Sequence, residues 1–167
     1  MTAPLSSMDS VLLRRALGAF ATGVLVVTTR SGDRVHGMTA NSFTSVSLTP
    51  PLVLICVDHR AAMKQALQDA GYYGLSVLAH DQEHLSRHFS SRNGAKLDVC
   101  FEELEGVPVI GDALAQFACR ITQTPSVGDH LIFIGEISSY RHGKGDPLLY
   151  FGGGYMQIQQ ATMAANS

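Results

Sequence analysis

The stretch MTANSFTSVSLTPP (Met38 to Pro51) carries seven side-chain hydroxyls or amides in fourteen residues and no charge. It lies between two apolar runs, VLVV (Val24 to Val27) and LVLICV (Leu52 to Val57). It has no glycine and its prolines come only at the end, so turn chemistry does not account for it. Read as a strand, its period of two puts Thr39, Asn41, Phe43, Ser45 and Ser47 on one face. Met38, Ala40, Ser42, Thr44, Val46 and Leu48 fall on the other. So much neutral hydrogen-bonding capacity beside a core needs a use.

Upstream, GVLVVTTR (Gly23 to Arg30) is rich in β-branched residues, and SGD (Ser31 to Asp33) is a turn signal before RVHGM, so Val24 to Met38 predicts a hairpin. Before it, MDSVLLRRALGAF reads as a helix: Ser7 or Asp9 can cap it, and Val11, Leu12, Ala16, Leu17 and Phe20 recur at helical spacing. Downstream, LVLICV predicts a buried strand. DHRAAMKQALQDAG follows as a helix with Asp58 as a possible cap and Gly71 at the stop position. YYGLSVLA is a strand, and DQEHLSRHF a short helix with Asp81 as possible cap. Residues 90 to 112 read as loop. LAQFACRITQTPS and DHLIFIGEISSYR are strands joined by the turn VGD, and PLLYFGGGYMQI reads as one last short strand. Hairpins with only three helices do not give the strand-helix alternation of a doubly wound sheet; they predict an antiparallel β-barrel with helices at its edges.

A chain of 167 residues suits a single domain, able to bury roughly 70% of its unfolded surface. Hydrophobic residues make up 46% and charged residues 16%, a globular composition. The net charge of −2, without a basic run or acidic tail, gives no support to nucleic-acid or anionic-membrane partners. The apolar runs are too short for a membrane span, and MTAPLSSMDS has no basic n-region followed by an apolar h-region, so no secretory leader is expected from it. Cys56, Cys100 and Cys119 are an odd number, widely separated among apolar neighbours. They are expected to be buried free thiols, with the cytoplasm as the compartment.

No G-x-G-x-x-G, Walker A, H-E-x-x-H, paired C-x-x-C or G-x-S-x-G motif occurs, so an enzyme here would advertise neither side-chain nucleophile nor metal. Gly152 to Gly154 lie inside the terminal strand signal rather than opening a helix. Four features remain, each with a plain alternative. The polar face of MTANSF is either a solvated edge strand or a wall for a flat, uncharged ring, with small Ala40 and Ser42 allowing close backbone approach. In CVDHRAAM, a helix N-terminus with Arg60, Ala61 and Ala62 suits a phosphate, or is simply a helix start. In GDH (Gly128, Asp129, His130), the histidine sits at a hairpin corner and is either solvated or set against a second ligand. His80, His84 and His88, four apart, could line up for a metal, but an exposed helix face explains them equally, and no metal is expected.

Taken in order, GVLVVTTR, HGMTANSFTSVSLTPPLVLICVD, LSRHF, GDHLIFIGEI and LLYFGGGY resemble the short-chain flavin reductases, the reductase components of two-component flavin-dependent monooxygenases. The likeness runs from about residue 12 to residue 158. It implies a mainly β, antiparallel Greek-key split β-barrel (an FMN-binding split barrel) with flanking helices, working as a homodimer. It implies reduction of FMN or FAD by NADH or NADPH and release of reduced flavin to a separate monooxygenase. By this resemblance Met38, Thr39, Ala40, Asn41 and Ser42 lie along the isoalloxazine ring. Cys56, Val57 and Asp58 lie near the ribityl chain, Arg60, Ala61 and Ala62 near the phosphate, and His88 and Phe89 also against flavin. His130 with Tyr150, Phe151, Gly152 and Gly153 borders the nicotinamide. Many relatives carry serines where this chain has Ala61 and Met63, so phosphate contacts are expected from backbone N–H, Arg60 or Lys96 instead. By the same resemblance, many relatives carry an arginine where this chain has Gly152.

Hydride transfer between two such ligands needs stacking and charge stabilisation from the protein but no obligatory general acid. A non-catalytic flavin store on the same barrel is the competing expectation. It has no need of a nicotinamide surface. An oxidase of the pyridoxamine phosphate type would need a strongly basic phosphate site, which the sequence does not show.

Overall fold

The computed structural model describes residues 9–91 and 97–158. Helix α1 (Ser10–Leu17) starts where the Asp9 carboxylate accepts the Val11 and Leu12 N–H groups; Ser7 lies outside the described residues. Strand β1 (Thr22–Gly23) leads into the expected hairpin of β2 (Leu25–Ser31) and β3 (Arg34–Ala40). β4 (Thr44–Leu48) and β5 (Pro51–Asp58) pair next. Helix α2 (Ala62–Ala70) stops at Gly71, whose φ of 74° lets its N–H reach the Leu67 carbonyl. Then come β6 (Tyr72–Val77), a 3-10 turn at His80–Gln82 and helix α3 (Glu83–Ser90). The remainder is strand: β7 (Phe101–Leu104), β8 (Val107–Ile110), β9 (Ala115–Gln123), β10 (Ser126–Val127), β11 (His130–His142), β12 (Leu149–Phe151) and β13 (Gly154–Met156).

The main sheet is antiparallel in the order β3-β2-β6-β9-β11-β5-β4, with β10 against β11. Leu25 and Val27 of β2 share one core with Val53, Ile55 and Val57 of β5, although the two strands stand four places apart in the sheet. The sheet is therefore curled into a barrel, and Met63 and Leu67 of α2 plug it. Val24 and Val26 pack in a second cluster with Leu85 of α3 and Leu148. The run VLVV is unbroken because it is covered on both faces. Tyr73 crosses the barrel core and donates its hydroxyl to the Phe133 carbonyl (3.4 Å). Burial raises its pKa, and it pushes the Cys119 thiol up to about 12.

Several expectations are corrected. Residues 38 to 48 are not one strand: β3 ends at Ala40 and β4 begins at Thr44, so the alternation does not run through. The chain turns there from pairing with β2 to pairing with β5, and the register slips again between Ser45 and Ser47. Neither aspartate caps its helix. The Asp58 carboxylate is taken by Arg60, and α2 starts at Ala61 with no side-chain cap. At α3, Gln82 does the fastening in place of Asp81: its Oε1 accepts the Ala79 N–H and its Nε2 donates to the Gly111 carbonyl. The expected loop at 90–112 contains the β7–β8 hairpin, turning at Glu105 and Gly106. The terminal strand is two, β12 and β13, folded back at Gly152–Gly153 beside β1. Of the three thiols only Cys119 is buried; Cys56 is half-buried and Cys100 exposed. Finally, α1 is a helix whose apolar positions bury nothing, with Leu17 66% and Phe20 79% exposed.

Candidate ligand-binding clefts

The corner after β3 is held by side-chain hydroxyls bonded to backbone. Ser42 Oγ donates to the Cys56 carbonyl and accepts the Cys56 N–H, both at 3.0 Å, replacing the ladder bonds that β3 and β4 cannot make at the turn. Thr39 Oγ1 donates to the Ser86 carbonyl of α3 at 2.6 Å. Met38 and Ala40 pack toward the barrel core. Asn41 is exposed, and its carboxamide makes no hydrogen bond among the described residues.

Three clefts meet at this corner. One of about 230 Å³ brings Thr39, Ala40 and Asn41 together with Ser86, Tyr150 and Tyr155. Ser86 Oγ and Tyr155 Oη share a 2.7 Å hydrogen bond. The Tyr155 ring stands edge-on to Tyr150, with the Arg87 guanidinium 4.8 Å from its centre. A second cleft of about 320 Å³ joins Gly37, Met38, Ala61, Ala62 and Phe89. The Phe89 ring lies where a Cβ on Gly37 would be, so only glycine admits it. His88 stands edge-on to Phe89 with ring centres 4.8 Å apart. A third, of about 280 Å³, is lined by Phe20, Thr22, Val24, Asn41 and Phe43. In it Thr22 Oγ1 is buried without a hydrogen-bond partner among the described residues. An orphaned hydroxyl of this kind costs about 1–3 kcal/mol unless something meets it.

The first turn of α2 borders the second cleft. No side chain caps it and no acidic residue sits in it, so its N–H groups keep their partial positive charge. Arg60 is not a loose cation. Its backbone N–H (2.8 Å), Nε (3.0 Å) and guanidinium Nη2 (2.6 Å) all bond the Asp58 carboxylate, which they hold well below the usual carboxylate range. Asp58 and His130 are cross-strand partners, and His130 Nδ1 lies 2.7 Å from Asp129, whose carboxyl its hydrogen bond also lowers.

The structure thus gathers Thr39, Ala40, Asn41 and Tyr150 at one cleft, and Met38, Ala61, Ala62 and Phe89 at the next. No described cleft contains both His130 and Tyr150; His130 pairs across strands with Asp58 and meets Asp129 at the barrel rim. Val57 is buried in the barrel, and Cys56 meets Ser42 through its backbone. Phe151 is exposed, and Gly152 and Gly153 form the β12–β13 turn. Lys96 lies outside the described residues. His80, at the start of the 3-10 turn, is off the α3 face that carries His84 and His88, and no metal-holding group of three acidic, histidine or cysteine side chains occurs among the described residues. Thr22, Ser86 and Tyr155 were missed. Thr22 stands outside every quoted motif, whereas Ser86 lies within LSRHF and Tyr155 closes LLYFGGGY without either having been singled out.

Comparison with known proteins gives one family. The flavin reductase like domain matches residues 17–159. An NADH-dependent flavin reductase of Rhodococcus is 42% identical over 150 residues, covering 88% of this chain and 85% of that protein. An FMN reductase (NADH) of Agrobacterium fabrum is 45% identical over 149 residues, with the same two coverages, 88% and 85%. Among solved structures, the flavin reductase PheA2 superposes with a TM-score of 0.89 at 47% identity, covering 92% of this chain and all of that one. The NADH:FAD oxidoreductase of Streptomyces globisporus, solved with NAD and FAD fragments, gives 0.86 at 42% identity, covering 92% and 95%.

Proposed function

Because this chain belongs to the flavin reductase like domain family, we propose that its three clefts serve one reaction, reduction of FMN or FAD by a reduced pyridine dinucleotide. The enzyme is an NAD(P)H:flavin oxidoreductase that supplies reduced flavin to a separate monooxygenase; one relative is the reductase component of a 4-hydroxyphenylacetate 3-monooxygenase. A storage role is not favoured, since the named relatives are reductases.

The observation that carries the site assignment is the uncharged corner, whose Thr39, Ala40 and Asn41 share one cleft with Tyr150. A flavin ring fits it on two counts: the unbonded Asn41 carboxamide and the orphaned Thr22 hydroxyl are neutral groups matched to ring oxygens and nitrogens. The start of α2, which has no side-chain cap, fits the ribityl phosphate through the N–H groups after Ala61, whose own N–H is taken by the Asp58 carbonyl. Arg60 would act through Asp58 rather than on the phosphate. When bound, the ligands supply the redox chemistry, a hydride passing from nicotinamide to flavin. The chain's own part is to hold two rings in contact. Thr39 and Ser42 fix the corner's backbone through their hydroxyls, Asn41 meets the ring edge, and Tyr150 flanks the second ring. Nothing here requires a proton donor.

We read the enzyme as one domain across residues 1–167, a homodimer, resident in the cytoplasm. The exposed apolar face of α1 and the 87% exposed Leu48 on edge strand β4 support self-association. The three free cysteines support a reducing compartment.

Purified protein mixed with NADH or NADPH and each flavin tests the reaction through nicotinamide absorbance. Consumption that requires added flavin, by a colourless protein, is expected. A yellow protein that consumes no reduced nicotinamide would overturn it.

A further inference from the structure

The largest of the described clefts, about 530 Å³, lies outside the corner. Val11, Arg14, Arg15 and Gly18 of the α1 segment form one side, and Gly152 and Gly153 of the β12–β13 turn form the other. The Gly152 N–H donates to the Gly18 carbonyl at 2.9 Å, fastening the two sides together. Both turn glycines have positive φ (59° and 90°) and open space where a Cβ would stand, so the turn offers bare backbone to the cleft.

Five arginines of the chain, Arg30, Arg60, Arg87, Arg120 and Arg141, are each paired with a carboxylate at 2.6 Å. Arg14 and Arg15, like Arg34 elsewhere on the surface, are exposed and pair with no carboxylate among the described residues. The one acid at their helix, Asp9, already accepts two backbone N–H groups. Two adjacent guanidinium groups beside a cleft, in a chain of net charge −2, are a local reversal of field suited to a dianion.

The turn continues the strand that carries Tyr150. Two residues of strand, about 7 Å, separate Tyr150 from Gly152. That is the reach of one ribose between a ring and its phosphate. Resting on the nicotinamide assignment of Tyr150 above, we propose that Arg14 and Arg15 hold the diphosphate of the reduced pyridine dinucleotide. The cations would come from α1, across the cleft from the bare backbone of the turn. A plain alternative is that two basic residues in the last turn of α1 only complement the helix dipole, which would affect stability and not nucleotide binding.

The test is the double variant R14Q/R15Q of the full chain, assayed with FMN and with NADH, NADPH or reduced nicotinamide mononucleotide. The KM for NADH and for NADPH should rise about tenfold or more, with kcat at saturation and the KM for FMN unchanged. The mononucleotide, which lacks the diphosphate bridge, should respond much less. Nicotinamide fluorescence titration of the flavin-free protein should show the same weakening, and R14K/R15K should restore part of it. An unchanged NADH requirement in a protein that turns over would overturn the proposal, as would a loss confined to NADPH, a matching loss for FMN, or a lowered Tm alone. If the unmodified protein does not oxidise NADH with flavin, it is the reaction that fails, which separates the two readings.

Discussion

The corner at Met38–Ser42 and the rim at Asp58–His130 are joined by β5, yet they are built from opposite materials. At the corner no residue is charged, and each bonded hydroxyl is tied to backbone. At the rim Asp58, Arg60, Asp129 and His130 are matched with one another. Fixed neutral dipoles lose little when water leaves, whereas exposed ion pairs are screened by solvent and contribute little to stability. The comparison teaches that shape resides at the corner, while the rim regulates charge.

The largest effect should come from the corner's fastening. Ser42→Ala leaves the Cys56 N–H and carbonyl unmet in a half-buried place, and chemical denaturation should register a loss of about 1–3 kcal/mol. A stability within experimental error of the parent would mean that water replaces the hydroxyl and the corner is not held as described. Next is Asn41→Ala, expected to weaken flavin binding by about 1 kcal/mol while turnover at saturating flavin holds. Turnover depressed by orders of magnitude under saturation would make Asn41 catalytic and erase the contrast with the rim. His130→Ala should raise the KM for NADH about fivefold with flavin affinity intact; an unchanged NADH dependence would remove the rim from the nucleotide site.

The smallest effect is electrostatic. Asp58 titrates lower in the fold than in the unfolded chain, so its contribution is present above the ordinary carboxylate range near pH 4 and disappears as pH falls through the lowered value. Asp58→Asn should flatten that acid limb slightly, and more weakly in high salt. A parallel acid limb in the variant would assign the titration to other carboxylates.

Sequence patterning located the long elements because their covering is regular. The β2–β3 hairpin, β5, β9, β11 and α2 with Gly71 all follow their periods and punctuation. The β7–β8 hairpin was hidden because all four residues of β8 are buried, which abolishes alternation, and Pro108 argued against a strand. The break at residues 41–43 depends on Ser42 meeting Cys56 fourteen positions later, a contact that no local pattern encodes. Asp58 could satisfy either helix N–H groups or Arg60. The sequence offers both and the structure selects the guanidinium. The cleft walls were legible where a continuous segment makes them, at Met38–Asn41 and Ala61–Ala62. They were illegible where lone residues from distant elements, Thr22, Ser86 and Tyr155, complete them.

Ser86 has a wider reach than its size suggests. Its carbonyl secures β3 through Thr39 and its hydroxyl secures β13 through Tyr155, so a single helical turn clamps both flanks of the cleft. A ligand held on either flank should therefore slow amide exchange along residues 83–90, where both hydrogen bonds are anchored.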